Sequence, residues 1–335
     1  MAEPTTVRVL SPEEIASRQL AETPYIRWPD PSQLFLQREV RLRQLAAGHA
    51  MRDFLIFMAD ICAAQHRRLN SPVVVTLPTQ QHLAQAAKQG VAPLHPAEHL
   101  RAALWLEDLR ALLADLQQRA QPAAPQVIQA LSNATPEHLN RQADKLLQGI
   151  TLELDLGQAP LIAAALQVYW TRLVSHTQAA YPDLAFGRID DATVCPCCAS
   201  LPVSSISRIG ASDAGSRYLH CGLCATEWHM VRIQCACCSS SKSIFYQELE
   251  GDGEQSLSTA APPRGTVRAE ACDDCGHYLK IMSMDKDAYV DPVADDLATV
   301  ALDLLVSDTG LQRHGVNYML LWGEPEPSGL NDGSS

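Results

Sequence analysis

The sequence predicts an α+β protein: an N-terminal all-α helical domain, a cysteine-bearing β-part, then a C-terminal helix. Three observations predict it. Apolar residues recur at helical spacing through the first half, four CxxC pairs lie among short β-rich runs in the second, and a capped apolar stretch follows them.

With 335 residues the chain can hold two domains or one large core with an appended module. Apolar residues make up 47% and charged residues 19%, the balance of a globular protein. The first residues carry Glu3, Glu13 and Glu14 with no basic segment leading into an apolar run, so no secretory signal is expected. The apolar stretch around 160–170 is too short for a bilayer, which takes roughly 20 residues, so no membrane partner is expected either. A cytoplasmic location follows as an expectation. In that reducing compartment eleven cysteines point to metal or redox chemistry rather than a disulfide framework.

Helices are expected at 32–69, 79–89, 96–120, 136–149 and 159–179. Phe54, Phe57, Met58 and Ile61 follow i, i+3, i+4, i+7, as do Leu109, Leu112, Leu113 and Leu116, which places one buried stripe on each helix. Thr135, Pro136 and Glu137 read as an N-cap, a first-turn proline and a first-turn acid. "SPVVVTLP" is expected to be an extended connector, and "QPAAPQ" at 121–126 a break. Cys62 and Trp170 are expected to pack in the helical core. This domain is assigned residues 1–185.

After "YPDLAFGRIDDAT" at 181–193 the helical signal stops. Residues 190–285 alternate CxxC turns with "RYLH", "TEWHMVRI", "SIFYQEL" and "YLKIM", and the order of turn and strands is given twice. The composition of 250–265 is that of a mobile loop. Asp291 and Pro292 open the C-terminal helix and Gly310 stops it, within a packing segment assigned to 286–325. The tail, 326–335, is expected to be disordered.

The pairs Cys195/Cys198, Cys221/Cys224, Cys235/Cys238 and Cys272/Cys275 share one spacing. Two intervening residues let a turn present both sulfurs to one ion, and two such turns complete a tetrahedron with metal–sulfur distances of about 2.3 Å for zinc. Four pairs imply two ions. Iron in a rubredoxin-type site has the same geometry, so spacing alone leaves iron and zinc open. The β-part is therefore expected to be tandem rubredoxin-like, or zinc-ribbon, modules: 194–230 first, 231–285 second. Sequential pairing of the turns is favoured over interleaved pairing because strands suited to a ribbon lie inside each interval.

Cys197 and Cys237 fall out of register with the four pairs, as turn fillers or as alternative ligands or redox-accessible thiols. His220, His229 and His277 border the turns. Eight thiolates already complete two tetrahedra, so these imidazoles are expected beside the sites rather than on the ions. Trp228 is expected to pack the first ribbon. No catalytic or organic-cofactor residues are assigned, because no serine–histidine–acid series, phosphate-cradling loop or carboxylate pair stands out. Thiol–disulfide exchange at Cys195–Cys198 lacks the βαβ context such motifs use. A ribbon adaptor for nucleic acid or protein is the alternative. The net charge of −12, with seven basic against twelve acidic residues between 190 and 285, argues against a phosphate backbone as partner.

At "CPCCASLPVSS", "RYLHCGLCATEWHMVRIQCACC", "EACDDCGHYLKIM" and "DPVADDLATVALDLL" the chain resembles the formate dehydrogenase accessory protein FdhE family. The match is close over 194–306, and the helical part fits in length and character. The resemblance implies a non-enzymatic, cytoplasmic maturation factor that acts on the catalytic subunit of respiratory formate dehydrogenase before twin-arginine export. It also implies two rubredoxin-type irons, each on four cysteines, carried over to Cys195, Cys198, Cys221, Cys224, Cys235, Cys238, Cys272 and Cys275. Association of two copies as a homodimer is left open. Cys197, Cys237 and Ala199, the last where many such turns place glycine, depart from the pattern.

So small a β-module draws much of its folding free energy from metal. Cys221→Ser is accordingly expected to open the first ribbon locally, read as lost protease resistance together with the loss of one bound ion; unchanged values of both would count against the assignment.

Overall fold

The computed structural model describes residues 23–99, 101–118, 125–184, 186–209, 215–249 and 263–321. Helices come first: α1 (Leu34–Ala46), α2 (Arg52–Leu69), α3 (Gln80–Gln89), α4 (Leu104–Gln117), α5 (Pro125–Asn133), α6 (Pro136–Leu147) and α7 (Ala159–Ala180). The last of these is apolar nearly all round and buried from Leu161 to Val174, which marks a central helix. Around it pack α2, α4 and α6. Trp170 and Cys62 are both fully buried in this core, as expected. Residues 71–78 carry no helix or strand.

Several helix limits differ from the sequence reading, each for a local reason. The single helix expected over 32–69 is two, because Gly48 turns the chain at φ +73°. His49 fixes the turn: its Nδ1 accepts the Met51 N–H at 3.0 Å and its Nε2 donates to the Ala298 carbonyl at 2.9 Å. The helix expected from 96 starts at Leu104, because α7 holds the preceding segment by side chains. Trp170 Nε1 donates to the Leu94 carbonyl at 3.1 Å, and the Ala102 N–H donates to Tyr169 Oη at 3.2 Å. Of the break expected at 121–126, residues 121–124 lie outside the described residues and 125–126 already belong to α5, which Pro125 opens and which turns Ile128 and Leu131 inward. Thr135 caps α6 as read, its hydroxyl accepting the His138 N–H at 3.3 Å. Residues 326–335 and most of the 250–265 loop lie outside the described residues.

The strands are β1 (Ile26–Arg27), β2 (Pro202–Ser207), β3 (Arg217–Cys221), β4 (Glu227–His229), β5 (Ile244–Gln247), β6 (Val267–Cys272), β7 (His277–Ser283) and β8 (Gln312–Arg313). They form one sheet in the order β1-β4-β3-β2-β7-β6-β5, with β8 on β7. The first ribbon, β2–β4, and the second, β5–β7, are each antiparallel. A parallel pair joins them, with Ser205 opposite Ile281 and Ser207 opposite Ser283. The N-terminal part is not purely helical: β1 extends the first ribbon by pairing Ile26 with Trp228.

The two ribbons are buried differently. Val203, Leu219, Leu223 and Trp228 of the first lie in the same apolar core as Leu42, Leu109 and Trp170 of the helices. The second reaches that core only through Ala236 and Leu279, and packs the rest in a small core of its own, Ala269, Ala271 and Tyr278 against Leu302 and Val306.

The C-terminal helix is also broken. Asp291 Oδ1 accepts the N–H groups of Val293 and Ala294 at 2.9 and 2.7 Å, the expected cap. At Thr299 the helix divides into α8 (Ala294–Ala298) and α9 (Val300–Asp308). The reason is Lys280 of β7, whose buried ammonium donates to the Asp296 and Thr299 carbonyls at 2.9 and 3.0 Å. The carboxylates of Asp296 and Asp303 pair with this ammonium, and Arg313 of β8 pairs with both acids at 2.8 and 3.0 Å.

Removing one partner from a buried ion-pair set costs about 3–5 kcal/mol, because the partner charges stay buried. Lys280→Met should therefore lower the unfolding free energy in urea by that order. A change under 1 kcal/mol, on the order of an exposed pair, would mean that Arg313 alone neutralises the two acids.

Candidate metal centres

Each CxxC pair is built as the same tight turn. The residue after the second cysteine is left-handed in all four: Ala199 (φ +56°), Ala225 (+58°), Ser239 (+60°) and Gly276 (+69°). In the first, third and fourth turns its N–H closes on the carbonyl of the first cysteine, at 2.8, 3.0 and 2.9 Å. Backbone N–H groups also point at sulfur: Leu223 and Cys224 donate to Cys221 Sγ at 3.4 Å, and Cys237 N–H to Cys235 Sγ at 3.3 Å. Three of the four left-handed positions are not glycine and so carry strain of order 1 kcal/mol or more each.

The turns meet in sequential order. Cys195, Cys198, Cys221 and Cys224 form one group and Cys235, Cys238, Cys272 and Cys275 the other. Within the first, Cys195–Cys224, Cys198–Cys221 and Cys198–Cys224 lie 3.5, 3.5 and 3.6 Å apart. In the second, Cys235–Cys275 and Cys238–Cys272 lie 3.7 and 3.8 Å apart. A regular tetrahedron with metal–sulfur bonds of about 2.3 Å has edges of about 3.8 Å. The eight sulfurs therefore have the spacing that an ion in each group requires.

Electrostatics points the same way. Burial pushes the Cys195 and Cys221 thiols well above the usual thiol range, whereas at Cys224 hydrogen bonds from the neighbouring thiols overcome burial and hold the thiol well below it. In the second group the Ser240 N–H lowers Cys238, and burial raises Cys275. The thiols within each group thus differ in acidity, and binding of a cation would release the protons they hold.

The groups differ in exposure. All four cysteines of the first are buried, while Cys238 is exposed and Cys275 partly so. The N-terminal part causes the difference: the N–H of Leu94, in the connection after α3, donates to the Cys197 carbonyl at 2.9 Å, and Gln167 Nε2 of α7 to the Gly222 carbonyl at 2.8 Å. Gly222 can have no side chain, since a Cβ there would stand 2.8 Å from the Val316 carbonyl oxygen. These anchors are nonlocal and left no mark in the sequence.

The bystanders separate as well. Cys197 is buried, and the Thr226 hydroxyl donates to its sulfur at 3.6 Å. Cys237 is half-exposed beside Cys275 and His277. Cys62 stands outside both groups, its thiol pushed by burial up to about 12. His229 packs edge-on to Tyr218. Trp228 is buried in the first ribbon, its Nε1 donating to the Ala192 carbonyl. His220 is buried and pairs its Nδ1 with Glu227 Oε1 at 3.1 Å, while Arg38 of α1 reaches its Nε2 at 3.5 Å. Where α1 meets this clamp and residues 284–292, a groove of about 700 Å³ opens, its rim formed by the exposed side chains of Trp28, Leu36, Val40 and Tyr289.

Glu227 anchors the clamp. Burial opposes its charge, but Arg208 and His220 outweigh burial and pull its carboxyl from 4.5 down to about 2. Because the folded value is the lower one, the unfolded chain takes up the proton first; the stabilisation is complete above about pH 4.5 and is lost as pH falls toward 2. At 1.36 kcal/mol per unit this amounts to about 3 kcal/mol. Glu227→Gln should flatten the acid limb of stability against pH by that order in urea titrations between pH 5 and pH 2, lowering stability at pH 5 while leaving it unchanged at pH 2.

Comparison with known proteins adds independent findings. Residues 23–182 match the family model described as "FdhE, N-terminal", 194–232 "FdhE, central domain" and 233–320 "FdhE, C-terminal domain". The "Protein FdhE homolog" of Edwardsiella ictaluri is 37% identical over 301 residues, covering 88% of this chain and 91% of that one. Its namesake in Cronobacter sakazakii is 35% identical over 326 residues, covering 96% of this chain and all of the other. Among solved structures, the crystal structure of the FdhE protein from Pseudomonas aeruginosa superposes with a TM-score of 0.79 at 34% identity, over 90% of this chain and all of that one. With three consecutive domain matches, relatives aligned along most of their length and a shared fold, the chain belongs to the FdhE family.

Proposed function

We propose that the chain is a non-enzymatic accessory factor for the assembly of formate dehydrogenase, binding the enzyme's catalytic subunit in the cytoplasm. The observation that carries this reading is the coincidence of FdhE family membership with two four-cysteine groups at tetrahedral spacing. In this reading Cys195, Cys198, Cys221 and Cys224 hold one ion, and Cys235, Cys238, Cys272 and Cys275 hold the other. Iron is the metal proposed, with zinc the alternative; four-thiolate iron cycles between two oxidation states, whereas zinc would brace the turns only. The first ion then sits in the helical core as a structural brace, and the second lies where a partner reaches it.

The groove beside α1 is the proposed seat for the catalytic subunit. Its rim is apolar and exposed, while its floor holds the buried polar side chains of Arg41, His220 and Glu227, a pattern suited to a protein partner.

The test is capture of a formate dehydrogenase catalytic subunit by the tagged, anaerobically purified chain, with metal analysis of the same sample. Expected are retention of the subunit, two irons per chain with thiolate-to-iron absorption, and at least tenfold weaker retention for Val40→Asp and Tyr289→Ala, the scale of a lost interface anchor. Stoichiometric zinc without that absorption would replace iron with zinc. Failure to retain the subunit would refute the accessory role.

A further inference from the structure

The two ribbons repeat each other closely enough to be compared position by position. Both opening turns carry an extra cysteine immediately before the second ligand, Cys197 in the first and Cys237 in the second. Two residues beyond the last cysteine of each closing turn stand Thr226 in the first ribbon and His277 in the second. The fold brings these two positions together in both halves. In the first ribbon the pair is a buried thiol and a hydroxyl, 3.6 Å apart. In the second it is a half-exposed thiol and an imidazole, and they group with Cys275 so that the two sulfurs and one ring nitrogen lie within 4.8 Å of one another.

We propose that this trio, Cys237, Cys275 and His277, is an accessory half-site through which the second centre takes an additional soft divalent cation, with the Cys275 thiolate shared between the two ions. The proposal rests on the reading that the four-cysteine groups bind metal. It adds a third ion per chain, held more weakly than the other two.

The donor chemistry suits such an ion. Thiolate and imidazole together select zinc-like and iron-like cations over magnesium or calcium. His277 Nδ1 lies 2.8 Å from the Cys275 carbonyl, and that acceptor makes Nδ1 the protonated nitrogen and leaves Nε2 its lone pair. The Cys237 thiol yields its proton to solvent as its bond to the metal forms, and the neutral imidazole lends its lone pair. Sharing Cys275 costs the ion of the second four-cysteine group no ligand, because a thiolate has lone pairs for two metals. Charge also favours it: one divalent ion on four thiolates leaves two negative charges, whereas two ions on five thiolates leave one. Three protein donors leave a fourth position for water or an incoming ligand, the pattern of exchangeable rather than structural sites. The half-exposure of Cys237 and Cys275 gives the ion a way in, which the buried Cys197 and Thr226 pair lacks.

The experiment is a cadmium titration of the metal-depleted, reduced full-length chain, followed by thiolate-to-cadmium absorption and ¹¹³Cd resonance. Expected are two tightly bound ions and a third, weaker one with a mixed sulfur and nitrogen signature. Cys237→Ser and His277→Thr, the latter installing the first ribbon's residue, should each weaken the third ion at least about tenfold, the low end of what losing even an outer partner of a ligand costs. Cys197→Ser should leave all three in place. Saturation at two ions, or a third ion that survives both substitutions, would overturn the half-site while leaving the four-cysteine reading intact. Binding of no ion at all would overturn both.

Discussion

Four thiols held 3.5–3.8 Å apart cannot all ionise unless a cation stands among them, and much of this fold is arranged around that constraint. It appears twice, once in each ribbon, through turns that accept left-handed strain at Ala199, Ala225 and Ser239 to aim two sulfurs inward. Such strain persists only where surrounding structure over-determines it. The antiparallel ladders of β2–β4 and β5–β7 supply part of that bracing, and an ion bound by the sulfurs would supply the rest.

The same device is set in unequal surroundings. The first group is roofed by the helical part, its turns held through Leu94, Gln167 and the close approach at Gly222, so its opening involves the main core and is not the purely local event expected from the sequence. The second leans mainly on a small core from β6, β7 and α9, touching the main core through Ala236 and Leu279, and its Cys238 and Cys275 reach the surface. Local opening free energy follows buried apolar contact, so the second ribbon belongs at the low-stability end of the molecule.

Much of the site was legible in the sequence, because a CxxC spacing is a local property and the turn it encodes spans only a few residues. The ligand register and the caps at Thr135 and Asp291 follow from neighbours within five positions, and the sequential grouping from the short strands that lie inside each interval. What could not be read was nonlocal. The break at Thr299 is caused by Lys280, nineteen positions earlier in the chain. The late start of α4 is caused by Tyr169 and Trp170 on α7. Two residues suffice for β1, too few to show an alternation, and its partner lies beyond the whole helical domain. The pairing of β2 with β7 has no sequence signature either, since a parallel pair needs no turn between its strands.

That parallel pair bears on how the chain is made. When the ribosome has delivered β2, β3 and β4, the first ribbon can close on its own, but one edge of β2 stays bare until β7 emerges. An unpaired edge is a template for aggregation, and here the nascent chain must carry it through the synthesis of β5 and β6. Vectorial production therefore leaves a defined interval in which the inner edge of the finished sheet stands open to other strands.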